Sequence, residues 1–368
     1  MKYIDEFRNS QTALRLVADI KKHSGDKRWR LMEFCGSHTV AIFKFGIRQL
    51  LEDRIEMLSG PGCPVCVTSV RDLDKSIALA KMPNVIITTF GDLLRVPSSD
   101  SSLQQARADG GDVRVVYSTL DALDIAKNNP AKQVVFIGIG FETTAPTIAA
   151  SIIQAKQEKI DNYSVISLHK VTPPVTWALL DSGEKDIDGI ICPGHVSTII
   201  GSDAWRYLPE KYGIACAVSG FEPLDILYCI DLLVKQLEKG KPKVDIAYPR
   251  AVSPQGNVHA LKLMDEVFEL APADWRGIGI VPGSGLKINE QYAAFDVENR
   301  IDIPLDKESK EAKGCICGDI LRGVRTPFDC KLFGKGCTPE YPVGPCMVSS
   351  EGTCAAYYHY GGADDKTR

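Results

Sequence analysis

Thiols are the groups in this sequence whose type and spacing could do chemistry. Six of the 12 cysteines lie near the C-terminal end, at Cys315, Cys317, Cys330, Cys337, Cys346 and Cys354. Four thiolates suit either a tetrahedral zinc ion or a [4Fe–4S] cluster. The spacing lacks the paired C-x₂₋₄-C knuckles that are typical of zinc sites, and six cysteines indicate four ligands plus one pair that can form a disulfide. The alternative is a zinc-bound tail with two idle thiols.

Two shorter motifs carry three further cysteines. Cys35-Gly-Ser-His38 follows an apolar run and precedes a segment with helical potential. A helix N-terminus favours a thiolate, and His38 one turn away could share a metal or a proton; a buried thiol with an unrelated histidine is the alternative. Ser59-Gly-Pro-Gly-Cys63-Pro-Val-Cys66 has the C-x-x-C spacing of thioredoxin-like redox pairs. A structural zinc site would need a second C-x-x-C, which the sequence lacks.

Polar residues also follow apolar runs in the middle of the chain. They are Glu142 in Gly140-Phe-Glu142, His169, and both ends of Cys192-Pro-Gly-His195. Because ligands of open parallel sheets gather at the carboxyl ends of strands, these side chains and the first cysteines are predicted to line one cleft. Glu142 is thus a catalytic candidate, and His169, Cys192 and His195 are cleft candidates, with ordinary core or loop histidines as the alternative. A dinucleotide-binding fingerprint is excluded because the third glycine of G-x-G-x-x-G is missing, and no Walker lysine motif occurs.

These motifs need a fold that brings strand ends together. Eight apolar runs, each followed by a turn and a helical pattern, predict parallel α/β units at 30–34, 55–58, 85–89, 113–117, 134–139, 165–168, 189–192 and 214–218. The second four repeat the order of the first four at a similar spacing, which predicts two tandem Rossmann-like domains; chance similarity among buried strands is the alternative. The expected boundaries are an N-terminal helix within 1–30 that packs on the C-terminal domain, α/β domains at 31–130 and 131–238, and a loop-rich iron–sulfur domain at 239–368.

Composition and charge exclude several classes of protein. The 368 residues carry 43 basic and 47 acidic side chains, and this net charge of −4 argues against binding to nucleic acid or an anionic membrane. The longest stretch without an acidic or basic side chain, 189–202, is too short to span a bilayer. The first residues contain no apolar signal-peptide core, and this distribution of cysteines is typical of a reducing compartment. We therefore expect a cytoplasmic protein.

Together, the motifs resemble the HypD family of [NiFe]-hydrogenase maturation factors over nearly the whole chain. The resemblance rests on Cys35-Gly-Ser-His38, Gly60-Pro-Gly-Cys-Pro-Val-Cys66, Gly140-Phe-Glu-Thr-Thr-Ala-Pro146, Cys192-Pro-Gly-His-Val196 and the six-cysteine tail. It implies a scaffold on which the Fe(CN)₂CO group is assembled, in complex with a small HypC-type partner and supplied with cyanide by a HypE-type protein. It also implies two Rossmann-like domains and a third domain with a [4Fe–4S] cluster.

The family also implies roles for individual cysteines. Cys35, with a thiolate of the partner, would hold the iron near His38, and Cys63 and Cys66 would be a redox pair close to it. The tail is similar to ferredoxin:thioredoxin reductase, in which a disulfide lies beside the cluster. That similarity assigns Cys317 and Cys346 as the dithiol/disulfide, although Cys315 and Cys317 could exchange roles. The cluster ligands are then Cys315, Cys330, Cys337 and Cys354.

Two functional hypotheses follow. In the first, the cluster supplies single electrons, the tail dithiol stores two, and the Cys63/Cys66 pair relays them to the iron at Cys35. The protein is then an assembly scaffold with redox activity rather than a turnover enzyme. In the second, it is an iron–sulfur-dependent thiol–disulfide oxidoreductase whose α/β domains dock a partner protein. Bound cyanide and carbonyl would favour the first hypothesis.

Overall fold

The fold contains two parallel β-sheets and one antiparallel hairpin. The computed structural model describes residues 5–184, 186–305 and 307–361. Several strands are buried along their whole length, which explains why they stand out in the sequence as short apolar runs. The strands are β1 Trp29–Glu33, β2 Ile55–Ser59, β3 Val85–Thr89, β4 Asp112–Val115, β5 Gln133–Gly138, β6 Tyr163–Ser167, β7 Gly189–Pro193, β8 Ala215–Ser219, β9 Val244–Ile246, β10 Phe268–Trp275 and β11 Gly279–Ile288.

The order of the strands separates the two sheets. The first sheet has the order β2-β1-β7-β8-β9 and the second the order β4-β3-β5-β6, with parallel neighbours throughout. The α/β class with two parallel sheets is therefore confirmed. The division of the chain into 31–130 and 131–238 needs correction, because β1 and β2 begin the first sheet, β3 to β6 form the second, and the chain then returns to the first. Apolar runs show where strands lie but not which strands pair.

Helices connect the strands and cover the sheets. The α-helices are α1 Ser10–Ser24, α2 Gly36–Lys44, α3 Ile47–Leu51, α4 Pro64–Val67, α5 Val70–Ala80, α6 Leu103–Ala108, α7 Thr119–Asn128, α8 Ala145–Glu158, α9 Thr172–Ser182, α10 Gly194–Ile200, α11 Tyr207–Tyr212, α12 Pro223–Lys239, α13 Val258–Val267, α14 Cys317–Leu321, α15 Pro345–Val348 and α16 Thr353–Tyr360. Short 3₁₀ helices lie at Asp5–Phe7, Gly91–Leu93, Asp203–Trp205, Glu290–Phe295, Val297–Asn299 and Pro327–Asp329. Side-chain caps mark several helix starts; at α5, for example, Ser69 Oγ accepts a hydrogen bond from the Asp72 N–H.

The N-terminal helix α1 packs on α12, which covers the first sheet. Ile20 of α1 is buried in the same hydrophobic core as Ile230 of α12, and His23 Nδ1 lies 2.8 Å from Glu238 Oε2. This corrects the expectation that the helix packs on the C-terminal domain, because an amphipathic pattern defines the buried face of a helix but not its partner. The expected boundary at 239 also falls too early, since β9 still pairs with β8.

The C-terminal part of the chain packs on the second sheet and then becomes irregular. The hairpin β10–β11 contacts the end of β6, where Ser167 Oγ donates to Leu286 O at 2.6 Å. Within the described residues, 301–316 contain neither helix nor strand, and the following segment contains only short helices. This agrees with the loop-rich region expected from the sequence. Among the residues that the structure describes, no helix is long and apolar enough to cross a membrane.

Candidate metal and thiol site

Four connections meet at the carboxyl edge of the first sheet. Cys35 follows β1, the loop 60–66 follows β2, His195 lies just after β7, and Gly220 follows β8. In this sheet β1 and β7 are neighbours. The chain leaves β1 toward β2 on one side and leaves β7 toward β8 on the other side, so the carboxyl edge between β1 and β7 is a topological switch point. Ligands of open parallel sheets bind at such points. The fold therefore brings part of the predicted cysteine and histidine set to the position where a ligand is expected.

Cys35 is the N-cap residue of α2 and is enclosed by backbone. Its N–H donates to Glu33 Oε2 at 2.9 Å, and the N–H of Gly36 donates to Gly62 O at 3.0 Å. The helix N-terminus was expected to favour a thiolate. Instead, burial and the negative charges of Glu351 and Glu33 raise the pKa of Cys35 to about 12. A metal ion that binds this thiol must therefore displace its proton.

Glu33 supports the site from the end of β1 and was not predicted from the sequence. One of its carboxylate oxygens accepts the hydrogen bond from Cys35, and the other accepts a hydrogen bond from Thr39 Oγ1 on α2. Burial raises the pKa of Glu33 to about 7. The available signal was an acidic residue at the end of the strand, directly after the apolar pair Leu31 and Met32 and two positions before the cysteine.

Two histidines stack on one aromatic ring. The ring centroid of Phe221 lies 4.7 Å from that of His38 and 3.9 Å from that of His195. His38 Nε2 lies 2.9 Å from Gly220 O, so this nitrogen carries the proton of the neutral ring. Its Nδ1 is buried and has no hydrogen-bond partner among the described residues. Burial lowers the pKa of His38 to about 4, which leaves a neutral imidazole with a lone pair available to a metal.

Cys63 and Cys66 form a disulfide at the start of α4. Both cysteines are buried, and the Cys66 N–H lies 3.2 Å from Cys63 Sγ. Gly62, which precedes the disulfide, is packed so closely that a Cβ at this position would lie 2.3 Å from Cys35 N. On its other side, α4 packs on α15, which carries Cys346. The disulfide thus connects the Cys35 site with the cysteine-rich part of the chain.

All six C-terminal cysteines line one small cavity, whose remaining wall includes Ile320, Leu332, Phe333 and Met347. The sulfur atoms of Cys317 and Cys346 lie 2.6 Å apart, so a small movement would allow them to form a disulfide. Within the described ranges, no three Cys, His, Asp or Glu side chains are already arranged as metal ligands. The donor set still fits an iron–sulfur cluster, since the other four thiols share an enclosed apolar cavity with this pair.

Glu351 lies between the cysteine cavity and the Cys35 site. Like Glu33, it was not predicted from the sequence as a site residue. It accepts a hydrogen bond from Ser37 Oγ at 2.6 Å, and its backbone packs against Gly36, where a Cβ would lie 2.2 Å from Glu351 O. The next residue, Gly352, packs equally closely on Cys346, since a Cβ there would lie 2.1 Å from Cys346 O. No local pattern could reveal this contact, because 314 positions separate Ser37 from Glu351.

Three predicted cleft residues have other partners. Glu142 accepts hydrogen bonds from the N–H and the hydroxyl of Thr172, at 2.7 and 3.0 Å, and so caps α9 beside the second sheet. His169 Nδ1 lies 3.0 Å from Ser167 Oγ, next to the hairpin β10–β11. Cys192 is buried in the same hydrophobic core as Cys216. The single cleft predicted from the sequence is corrected to a site on the first sheet that includes only His195 of this group.

Fold and site together define a thiol-rich α/β protein in which a cysteine–histidine site, a disulfide and a six-cysteine cavity are in mutual contact. The chain belongs to the HypD family of hydrogenase maturation factors. The family model, described as "Hydrogenase formation hypA family", matches residues 11–361.

Curated relatives cover nearly the full chain. The chain is similar to the hydrogenase maturation factor HypD of Azotobacter vinelandii, with 48% identity over 98% of this chain and 97% of that protein. The corresponding protein of Cupriavidus necator is 45% identical over 98% of this chain and 97% of its own length. A putative hydrogenase expression/formation protein of Methanocaldococcus jannaschii is 48% identical over 90% of this chain and 92% of that protein.

Proposed function

We propose that this protein is the scaffold on which the Fe(CN)₂CO group of [NiFe]-hydrogenase is assembled. The observation that supports this most strongly is the convergence of Cys35, His38 and His195 at one sheet edge, next to a disulfide, in a member of a hydrogenase maturation family. Thiolates are soft ligands, and they suit an iron that carries cyanide and carbonyl. The iron in this proposal is the substrate of the site and not a resident cofactor.

Cys35 is the proposed iron ligand on this chain, and the second thiolate comes from a small HypC-type partner. As the iron binds, the Cys35 thiol loses the proton that its buried environment otherwise retains. His38 lies one helical turn away, and its backbone N–H donates to Cys35 O at 2.9 Å. Its buried Nδ1, which has no hydrogen-bond partner among the described residues, can contact the iron. Cyanide is delivered by a HypE-type protein.

The cysteine cavity is proposed to supply reducing equivalents. A [4Fe–4S] cluster, which transfers single electrons when bound, would be held by Cys315, Cys330, Cys337 and Cys354. Cys317 and Cys346 store two electrons as a dithiol and release them, with two protons, when their S–S bond forms. The Cys63–Cys66 disulfide takes up two electrons and two protons when its S–S bond opens, and the contact between α4 and α15 offers a short route between the two pairs.

The proposal is tested with protein that is co-produced with its HypC-type and HypE-type partners and purified without oxygen. We expect infrared bands of bound cyanide and carbonyl, and about four irons and four sulfides per chain beyond the iron under assembly. Absence of both ligands from the iron of the intact complex would refute the scaffold function.

A thiol–disulfide oxidoreductase is the second candidate, and the Cys63–Cys66 disulfide is the observation that favours it. It predicts catalytic reduction of a protein disulfide by a chain that never carries cyanide or carbonyl. A cytoplasmic location belongs to the scaffold proposal, because ten of the cysteines are not in disulfides and free thiols persist in reducing compartments.

A further inference from the structure

Arg276 is a buried arginine between the disulfide and the six-cysteine cavity. Its backbone N–H donates to Val67 O at 2.8 Å, and its Nε donates to Thr68 O at 3.0 Å. The acceptors belong to the first and second residues after Cys66. The side chain is only 4% exposed, and its Nη2 has no hydrogen-bond partner in the part of the chain that the structure describes. Burial of an incompletely bonded guanidinium is costly, so this position needs an explanation.

The neighbour of Arg276 packs against the residue that follows Cys317, a member of the other redox pair. Gly277 has a φ of +75°, and a Cβ at this position would lie 2.2 Å from the Cα of Gly318. Gly318 directly follows Cys317. The two glycines therefore allow the turn between β10 and β11 to pack directly against α14, the helix that begins with Cys317. Arg276 lies one residue before this contact.

The position of Arg276 in the chain brings its charge close to both thiol pairs. Trp275, the residue before Arg276, is buried in the same hydrophobic core as Cys66, Cys317 and Cys346. The counter-ion of Arg276 is Glu311, 2.7 Å from Nη1, but that carboxylate is 54% exposed and is therefore screened by solvent. Glu311 therefore compensates the buried guanidinium only in part, and the remaining positive charge acts on its buried neighbours.

We propose that Arg276 is a positioning residue whose permanent charge favours the reduced state of the six-cysteine centre. This inference rests on the proposed function, in which that centre holds a [4Fe–4S] cluster. A cluster with four thiolates is negatively charged, and one-electron reduction adds one more negative charge without making or breaking a bond. A nearby positive charge stabilises the more negative state in a low-dielectric environment, so it makes reduction easier.

The test is a redox titration of anaerobically purified protein with dithionite, followed by electron paramagnetic resonance of the reduced cluster. Arg276→Gln is expected to reduce the equilibrium constant for reduction about tenfold, a shift of about 59 mV to lower potential for one electron. Arg276→Lys, which keeps the charge, should shift the potential less. The matched control is Arg300→Gln, because Arg300 also donates to backbone carbonyls, those of Tyr163 and Asp161, but lies beside the second sheet.

A second variant covers the case in which Arg276→Gln does not hold a cluster. Glu311→Gln keeps Arg276 and removes its exposed counter-ion, so it is expected to shift the potential in the opposite direction. The reduction potential is compared with that of the wild type in each of these two variants that binds a cluster. An unchanged potential there overturns the role of Arg276. Wild-type protein without any cluster would instead refute the proposed function, so the two failures are distinguishable.

Discussion

Replacement of Gly62 by alanine is predicted to separate the disulfide loop from Cys35. A Cβ on Gly62 would lie 2.3 Å from Cys35 N, 2.5 Å from Cys35 Cα and 2.5 Å from the carbonyl carbon of Phe34, where ordinary contacts are 3.4–4 Å. All three neighbours are backbone atoms, so no rotation of a side chain can relieve the overlap. The two segments must move apart by about 1 Å, and overpacking of this kind costs about 1–3 kcal/mol.

The assay combines urea unfolding with infrared measurement of the iron complex. Gly62→Ala should lower the free energy of unfolding by that amount, and the altered geometry should reduce the yield of cyanide- and carbonyl-bearing iron strongly, since displacements of about 1 Å at a site can cost 100-fold. Gly91→Ala is the control, because its Cβ would meet only Val115 Cγ1 at 3.7 Å. A Gly62→Ala protein with wild-type stability and a wild-type yield of the complex would refute the reasoning.

Three further variants test other parts of the structure. Burial raises the pKa of Glu142 from 4.5 to about 7, so its native carboxyl keeps a proton that the unfolded chain loses, and stability falls as the pH rises through this window. Glu142→Gln should remove up to about 3 kcal/mol of that decline, measured by urea unfolding at several pH values; an unaltered pH profile would contradict the assignment. Cys317→Ser should abolish iron-ligand assembly while Cys216→Ser, at a buried core thiol, should not, and normal infrared bands in Cys317→Ser would exclude the relay. Phe221→Leu removes two ring contacts worth about 0.5–1.5 kcal/mol each and should weaken iron retention, measured as iron per chain after gel filtration; unchanged retention would show that the stacked histidines do not depend on this ring.

The strands β1 to β8 were predictable from the sequence, but β9 to β11 and the arrangement of the sheets were not. Each of the eight apolar runs overlaps a strand, because most strands of these parallel sheets are largely buried and therefore rich in apolar residues. The pairing of β1 with β7 joins Leu31 to Gly189, across the whole second sheet. Periodicity contains no information on such distant partners. For the same reason, the packing of α1 on α12 could not be predicted from the sequence.

The site residues that belong to local sequence motifs were predictable. Those that reach the site only through contacts between distant parts of the chain were not. Cys35, His38 and the Cys63–Cys66 pair follow adjacent strands, so their convergence could be inferred from the rule for parallel sheets. Glu351 reaches the same site from the far end of the chain and left no local signal. A buried glutamate after a strand looks the same in sequence whether it caps a helix or takes part in chemistry, which is why the role of Glu142 could not be inferred.

The most direct test of the scaffold function is infrared spectroscopy of two cysteine variants, each purified without oxygen in complex with its HypC-type and HypE-type partners. Cys35→Ser removes the proposed iron ligand, whereas Cys229→Ser replaces a buried thiol that donates to Ala217 O within the first-sheet core. We expect cyanide and carbonyl bands in the Cys229→Ser complex and none in the Cys35→Ser complex. Bands of wild-type intensity in Cys35→Ser would contradict the assignment of the iron to this site.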